Sequence, residues 1–230
     1  MTTAAAAAVF VLAAGAACAQ PFALLENCAD ERLGPDLAIE YCTRAIASGE
    51  FAAPTVARLH HNRAVAWQRK GAAEQELADL DAAIRLDPQL APAFLHRGRA
   101  WLARKDAERA IADFSEALRL APAQMTKAGA YLERGTAHLH RKDYDAAIAD
   151  FSAAIGADND NPRAFFNRGY AWGEKRDYAR AIDDYSEAIR QAPSEPRGYF
   201  NRGEIYRRQG DRERAEADFA EASRLRSAKR

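Results

Sequence analysis

The sequence predicts an all-α solenoid in which antiparallel helix pairs stack one on the next, five full units behind a divergent amino-terminal helical hairpin. Two repeating phrases carry this reading. Asn62-Arg63-Ala64, His96-Arg97-Gly98, Glu133-Arg134-Gly135, Asn167-Arg168-Gly169 and Asn201-Arg202-Gly203 recur at steps of 34, 37, 34 and 34 residues. A second phrase follows within the period, as in Ala110-Ile111-Ala112-Asp113-Phe114, Ala147-Ile148-Ala149-Asp150-Phe151 and Ala181-Ile182-Asp183-Asp184-Tyr185. Two helical phrases per period of this length mean stacked helix-turn-helix units. Composition agrees, with 48% apolar residues and only 9 Pro and 13 Gly among 230, which argues against disorder. The 33 basic and 33 acidic side chains cancel. That balance excludes the basic footprint of a nucleic-acid binder.

Residues 1–19 are expected to be a secretory signal. Thr2 to Ala19 carry no charge, and the stretch ends Ala17-Cys18-Ala19, small residues where a signal peptidase needs them. Three readings compete, a membrane anchor, a lipoprotein acylated at Cys18 and a disordered cytoplasmic tail. The first has a marginal span rich in Ala, and the second has Gly15 where a bulky aliphatic is usual. Cleavage leaves two cysteines, Cys28 and Cys42. An even count in an oxidising compartment suggests a disulfide, while two buried thiols remain the plainer alternative.

Residues 20–53 read as an amino-terminal capping hairpin. Ala38-Ile39-Glu40-Tyr41-Cys42 repeats the second-helix phrase, and a helix from about Pro21 to Leu33 carries Cys28 within reach of Cys42. Five units follow in residues 54–230, at 57–90, 91–124, 128–161, 162–195 and 196–229, with Met125-Thr126-Lys127 inserted before the third. Gly or Ala at position 8 of each unit and Ala at position 20 let two helices approach closely, and aromatic rings at 4, 11 and 24 fill the space beside them. Ala83, Ala117, Ala154, Ala188 and Ala222 at position 27 admit the next unit. Asp106, Asp143, Asp177 and Asp211 stand where they can cap the second helix, and Pro122 and Pro193 close it. The first unit is the poorest match. Glu76 occupies its small-residue position and is expected to swing out or pair with an Arg, loosening that unit. Glu216 and Ser223 replace an apolar pair in the last unit, which predicts that no further unit follows and that no catalytic domain has been lost.

Over residues 57–229 these motifs resemble the tetratricopeptide repeat family. The resemblance implies a right-handed superhelix whose first helices line an inner groove for a peptide or helix of another protein. Transferred by position, the groove would comprise Arg58, His61 and Asn62 in the first unit. The fourth contributes Arg163, Phe166, Asn167 and Tyr170, and the fifth Arg197, Phe200, Asn201 and Glu204. Asn amides suit a peptide backbone and Arg forks suit carboxylates. No Lys stands at position 5 of any unit, so the set is not a complete carboxylate clamp.

Chemistry finds little support in the residues. Arg63, Arg97, Arg134, Arg168 and Arg202 recur at position 7, and Asp79, Asp113, Asp150, Asp184 and Asp218 at position 23, a regularity that predicts structural ion pairs. His138 and His140 point to different sides of a helix, which disfavours metal binding, and no triad, phosphate loop or CxxC is present. The sequence therefore predicts a protein without enzymatic activity or cofactor. It would be exported to the periplasm or secreted, bind a partner protein, and bind neither nucleic acid nor, once cleaved, membrane. The alternative is a structural subunit of an envelope assembly that packs through its convex face or ends.

Overall fold

The computed structural model describes residues 22–30, 32–121 and 124–228; residues 1–19, expected to be a secretory signal, and Pro122 lie outside them. Helices and turns account for the described residues, without a strand. The chain divides into two compact units between Ala100 and Trp101, inside one helix.

The first unit contains α1 (22–29), α2 (Pro35–Ala47), α3 (Ala53–Lys70), α4 (Ala73–Leu86) and most of α5 (Ala91–Ala103). Helix α1 is shorter than the expected Pro21–Leu33. Asp30 turns its carboxylate onto the Arg32 amide at 3.0 Å, a local bond that competes with helix continuation. Cys28 on α1 and Cys42 on α2 form a disulfide with Cα atoms 4.7 Å apart, buried with Ala45 and Leu59. Of the two outcomes expected for Glu76, one is excluded. It does not swing out but lies 7% exposed on α4, engaged with neighbouring groups, as a buried carboxylate must be.

The second unit runs from the end of α5 through α6 (Ala107–Leu120), α7 (Gln124–His140), α8 (Tyr144–Ala157), α9 (Pro162–Glu174), α10 (Tyr178–Gln191), α11 (Pro196–Gln209) and α12 (Arg212–Ala228). The inserted residues 125–127 extend α7 by a turn at its amino end. Helices pair as α7/α8, α9/α10 and α11/α12, and the first helices α7, α9 and α11 also touch in succession. Size at position 8 explains the pairing. A Cβ on Gly135 would lie 2.7 Å from the Phe151 ring, and one on Gly169 would lie 3.3 Å from the Ala181 carbonyl oxygen. Leu132, Ala147, Phe151, Ala154, Ala164 and Ala171 form one continuous cluster across two hairpins.

Within each repeat the turn has one backbone solution. The residue at position 15 takes left-handed φ: 77° at Gly71, 64° at Lys105, 60° at Lys142, 65° at Arg176 and 85° at Gly210. The next residue donates its N–H back to the carbonyl of position 11, as Asp143 does to His138 at 3.0 Å. Asp106, Asp143, Asp177 and Asp211 then cap the second helix by accepting the backbone N–H three residues on. Arg109, Arg180 and Arg214 lie 4.6, 4.5 and 4.5 Å from the ring centroids of Trp101, Trp172 and Tyr206, a cation–π contact repeated around these turns.

A side chain costs energy in the left-handed region, so Lys142→Gly and Arg176→Gly are each expected to stabilise the protein by about 0.5–1 kcal/mol. Chemical denaturation would show the midpoint rise. A fall in both variants would mean that these long side chains hold the turn.

Candidate functional site

The recurrent Arg and Asp come together as forks. Arg63 Nε and Nη2 donate to Asp79 at 2.8 and 2.7 Å, and Arg134 to Asp150 at the same distances. Arg168 binds Asp184 at 2.9 and 2.8 Å, and Arg202 binds Asp218 at 2.9 Å through both nitrogens. Arg97 and Asp113 fall one in each unit; Asp113 is buried, and Arg97 donates to Asp81 at 2.7 Å. Burial pushes the Asp79 carboxyl up, but hydrogen bonds from Arg63 and His60 outweigh it and hold the group below the usual range. The bond to Asp150 raises the already high Arg134.

Each fork also has a third arm. Nη1 of Arg63, Arg134, Arg168 and Arg202 donates to Thr43, Ser115, Ser152 and Ser186 at 2.9, 3.0, 3.0 and 2.9 Å. The acceptor stands at position 25 of the preceding unit or hairpin, and Arg97 follows the same rule with Asp81. These guanidiniums therefore clip successive hairpins together. Sequence reasoning missed the acceptors, although Ser115, Ser152 and Ser186 recur two residues after each Asp.

In the second unit the first-helix layer opens into a cleft of about 360 Å³. Thr136 of α7 and Pro162, Arg163, Phe166 and Asn167 of α9 line one part of it. Ala188 and Ala192 at the end of α10, with Glu195 and Arg197, line the rest. Phe166 is fixed edge-on against Tyr185, with centroids 5.6 Å apart. Arg197 pairs with Glu195 at 3.1 Å and lies 5.7 Å from the Phe166 centroid. Asn167 donates to the Thr136 hydroxyl at 3.5 Å. Arg163 is exposed, and its guanidinium has no ion pair among the described residues. The cleft thus joins an aromatic face, an amide and two guanidiniums, one of them uncommitted.

The other expected groove residues are distributed differently. Tyr170 and Phe200 are 42% and 38% exposed but do not line the cleft, and Arg226 covers Phe200 with its guanidinium 5.1 Å from the centroid. Asn201 is engaged with Tyr185, whose phenol burial pushes up, and Glu204 is held by Arg207 at 2.5 Å. Arg58 is exposed on α3, while His61 and Asn62 line a separate cavity of about 130 Å³ in the first unit. Thr136, Ala188, Ala192 and Glu195 were missed. Thr136 stands at position 9, one of the groove positions, whereas the two alanines act only through the space they leave.

No group of His, Cys, Asp and Glu among the described residues is arranged to hold a metal ion, and none of the described helices is long and apolar enough to cross a membrane.

The family model of the tetratricopeptide repeat matches residues 77–124, 127–162 and 166–228. Among solved structures, a MamA fragment from Desulfovibrio magneticus RS-1 is similar, with 23% identity and a TM-score of 0.69, covering 75% of this chain and 96% of that one. YrrB, described as a tetratricopeptide repeat protein with an unusual peptide-binding site, is 22% identical with a TM-score of 0.67, covering 82% of this chain and 93% of that one. At these identities the likeness is one of fold. A comparison with curated proteins finds no match.

Proposed function

Because this chain belongs to the tetratricopeptide repeat family, whose fold supports protein–protein interaction, we propose that it holds an extended peptide of a partner protein in the cleft beside α9. The cleft carries this reading. Its Phe166 face suits an apolar side chain, the Asn167 amide suits a peptide backbone, and Arg163 and Arg197 suit an acidic residue or a carboxyl terminus. YrrB offers a precedent for peptide binding on this fold. The protein acts by binding and has no chemistry of its own.

A test begins with peptides selected on the intact protein from a displayed random library. Arg163→Glu with Arg197→Glu is expected to weaken the selected peptide at least about tenfold by calorimetry, equivalent to about 1.4 kcal/mol. Helical content should stay unchanged, because both side chains are exposed. Undiminished affinity in the folded double variant would end the reading.

We also propose export to the cell envelope. The uncharged segment ending Ala17-Cys18-Ala19 supports it, as does the Cys28–Cys42 bond, since disulfides persist in oxidising compartments. Fractionation that finds the protein with cytosolic markers would overturn it.

A further inference from the structure

Three successive turns of the second unit carry side chains that the peptide cleft does not use. Lys105, Lys142 and Arg176 occupy the left-handed position with φ of 64°, 60° and 65°, although Gly71 and Gly210 show that the same turn closes on glycine. A side chain is strained there. Such strain persists where something else rewards it, and it gathers at functional positions. Nothing inside the molecule supplies the reward. All three side chains are exposed, and none makes a hydrogen bond or ion pair among the described residues. A cation does gain from the carboxyl end of a helix, but Arg104, Arg141 and Lys175 already stand there, one residue earlier in each turn.

The turns lie side by side. The first two enclose an open recess of about 520 Å³ lined by Arg104, Lys105, His140 and Arg141, with Ala107 its only apolar side chain. Lys175 of the third turn bonds Asp145 at the start of α8. The acids among these cations are turned inward or taken. Asp106, Asp143 and Asp177 accept backbone N–H groups of their own helices, and Asp145 is held by Lys175. Arg104, Lys105, Arg141, Lys142 and Arg176 thus remain without an ion pair among the described residues, against Glu108 as the free carboxylate of the row. The charges of the chain cancel in total but not along this edge.

We propose, against the expectation of no membrane contact, that this row of turns is a docking edge for an anionic lipid bilayer, its cations lying among the lipid phosphates. A flat, densely charged surface meets the tips of several turns at once. Flexible Lys and Arg side chains adapt to mobile headgroups without a fixed pocket. A protein partner would need a buried apolar anchor, and Ala107 cannot serve as one. A single-stranded nucleic acid would need free rings to stack on, whereas Trp101 and Trp172 are covered by Arg109 and Arg180. The contact is peripheral, since none of the described helices is long and apolar enough to cross a membrane. The edge shares no residue with the peptide cleft, so either can fail alone.

The test is co-sedimentation of the full chain with vesicles of phosphatidylcholine containing one-third phosphatidylglycerol, and with vesicles of phosphatidylcholine alone. Binding to the anionic vesicles is expected to be at least about tenfold stronger and to fall as salt is raised. Lys105→Gly, Lys142→Gly and Arg176→Gly together should cut that binding at least about tenfold while the denaturation midpoint rises, so loss of the fold cannot account for it. Arg119→Gln, Arg190→Gln and Arg224→Gln remove the same charge at the far ends of the hairpins, towards the carboxyl ends of α6, α10 and α12. That control should leave binding within about twofold. Residues 1–19 are present in every variant, so any lipid contact of theirs cancels. Equal binding to the two kinds of vesicle overturns the proposal, as does undiminished binding by the triple glycine variant or an equal loss in the glutamine control. A polyglutamate peptide or single-stranded DNA that binds more tightly than the anionic vesicles, and is lost in the triple glycine variant, also overturns it.

Discussion

Asp79→Ala is expected to destabilise the protein by about 3–5 kcal/mol, more than Asp150→Ala. Asp79 accepts from Arg63 at 2.8 and 2.7 Å, from His60 Nδ1 at 2.8 Å and from Trp67 Nε1 at 3.1 Å. Truncation leaves a guanidinium, an imidazole and an indole N–H facing a site that excludes most water, and each loses its partner at once. Asp150 offers a contrast. It binds Arg134 through the same fork, but its nearest imidazole nitrogen, His138 Nε2, stands 3.8 Å away. Asp150→Ala should therefore cost less, and Asp79→Asn should fall between. Urea unfolding of the three variants measures the order. Equal losses at Asp79 and Asp150 would mean that the two ring donors contribute nothing.

Acid should weaken the protein well above the pH at which carboxylates protonate. Burial, His61 and Arg99 hold His96 at about 4, below the ordinary value near 6.5 that it regains on unfolding. The unfolded chain therefore binds a proton that the folded chain refuses, and stability is lost as pH falls from about 6.5 to about 4. The loss from this group approaches roughly 3 kcal/mol at pH 4, and His61, also lowered by burial, adds in the same direction. His96→Phe keeps an aromatic ring against His61 and removes one proton site. Denaturation at pH 7 and pH 4.5, in buffers free of carboxylates, should show a smaller pH difference in that variant. An equal difference would place the acid sensitivity elsewhere.

The architecture was legible in the sequence because close helix packing leaves a periodic mark. Gly135, Gly169 and Gly203 must be small to meet Phe151, Tyr185 and Phe219, and nothing bulkier repeats at that place. The capping aspartates were legible for a similar reason, since each acts within its own turn. What escaped were contacts between neighbouring repeats and features of the backbone itself. Ser115 and Arg134 meet only after two hairpins have stacked, and Ser carries no strong helical signal. Lys105, Lys142 and Arg176 give no warning of positive φ, because Gly marks that turn only in the first and last repeats. The cleft was half legible. Phe166, Asn167, Arg163 and Arg197 follow from position, but its opening depends on Ala188 and Ala192, which the sequence identifies only as small. The His61–His96 stack was invisible, since its members occupy different positions of different repeats.

The clips all reach backwards along the chain, each arginine towards the hairpin before its own. Shortening the protein is therefore unequal at its two ends. Removing α11 and α12 takes Arg202 and Asp218 away together and returns one serine hydroxyl to water. Removing α1 and α2 strips Thr43 from a guanidinium that stays behind, its Nη1 left idle beside Asp79. Carboxyl-terminal deletions should leave well-behaved shorter stacks, whereas amino-terminal ones should leave a frayed edge.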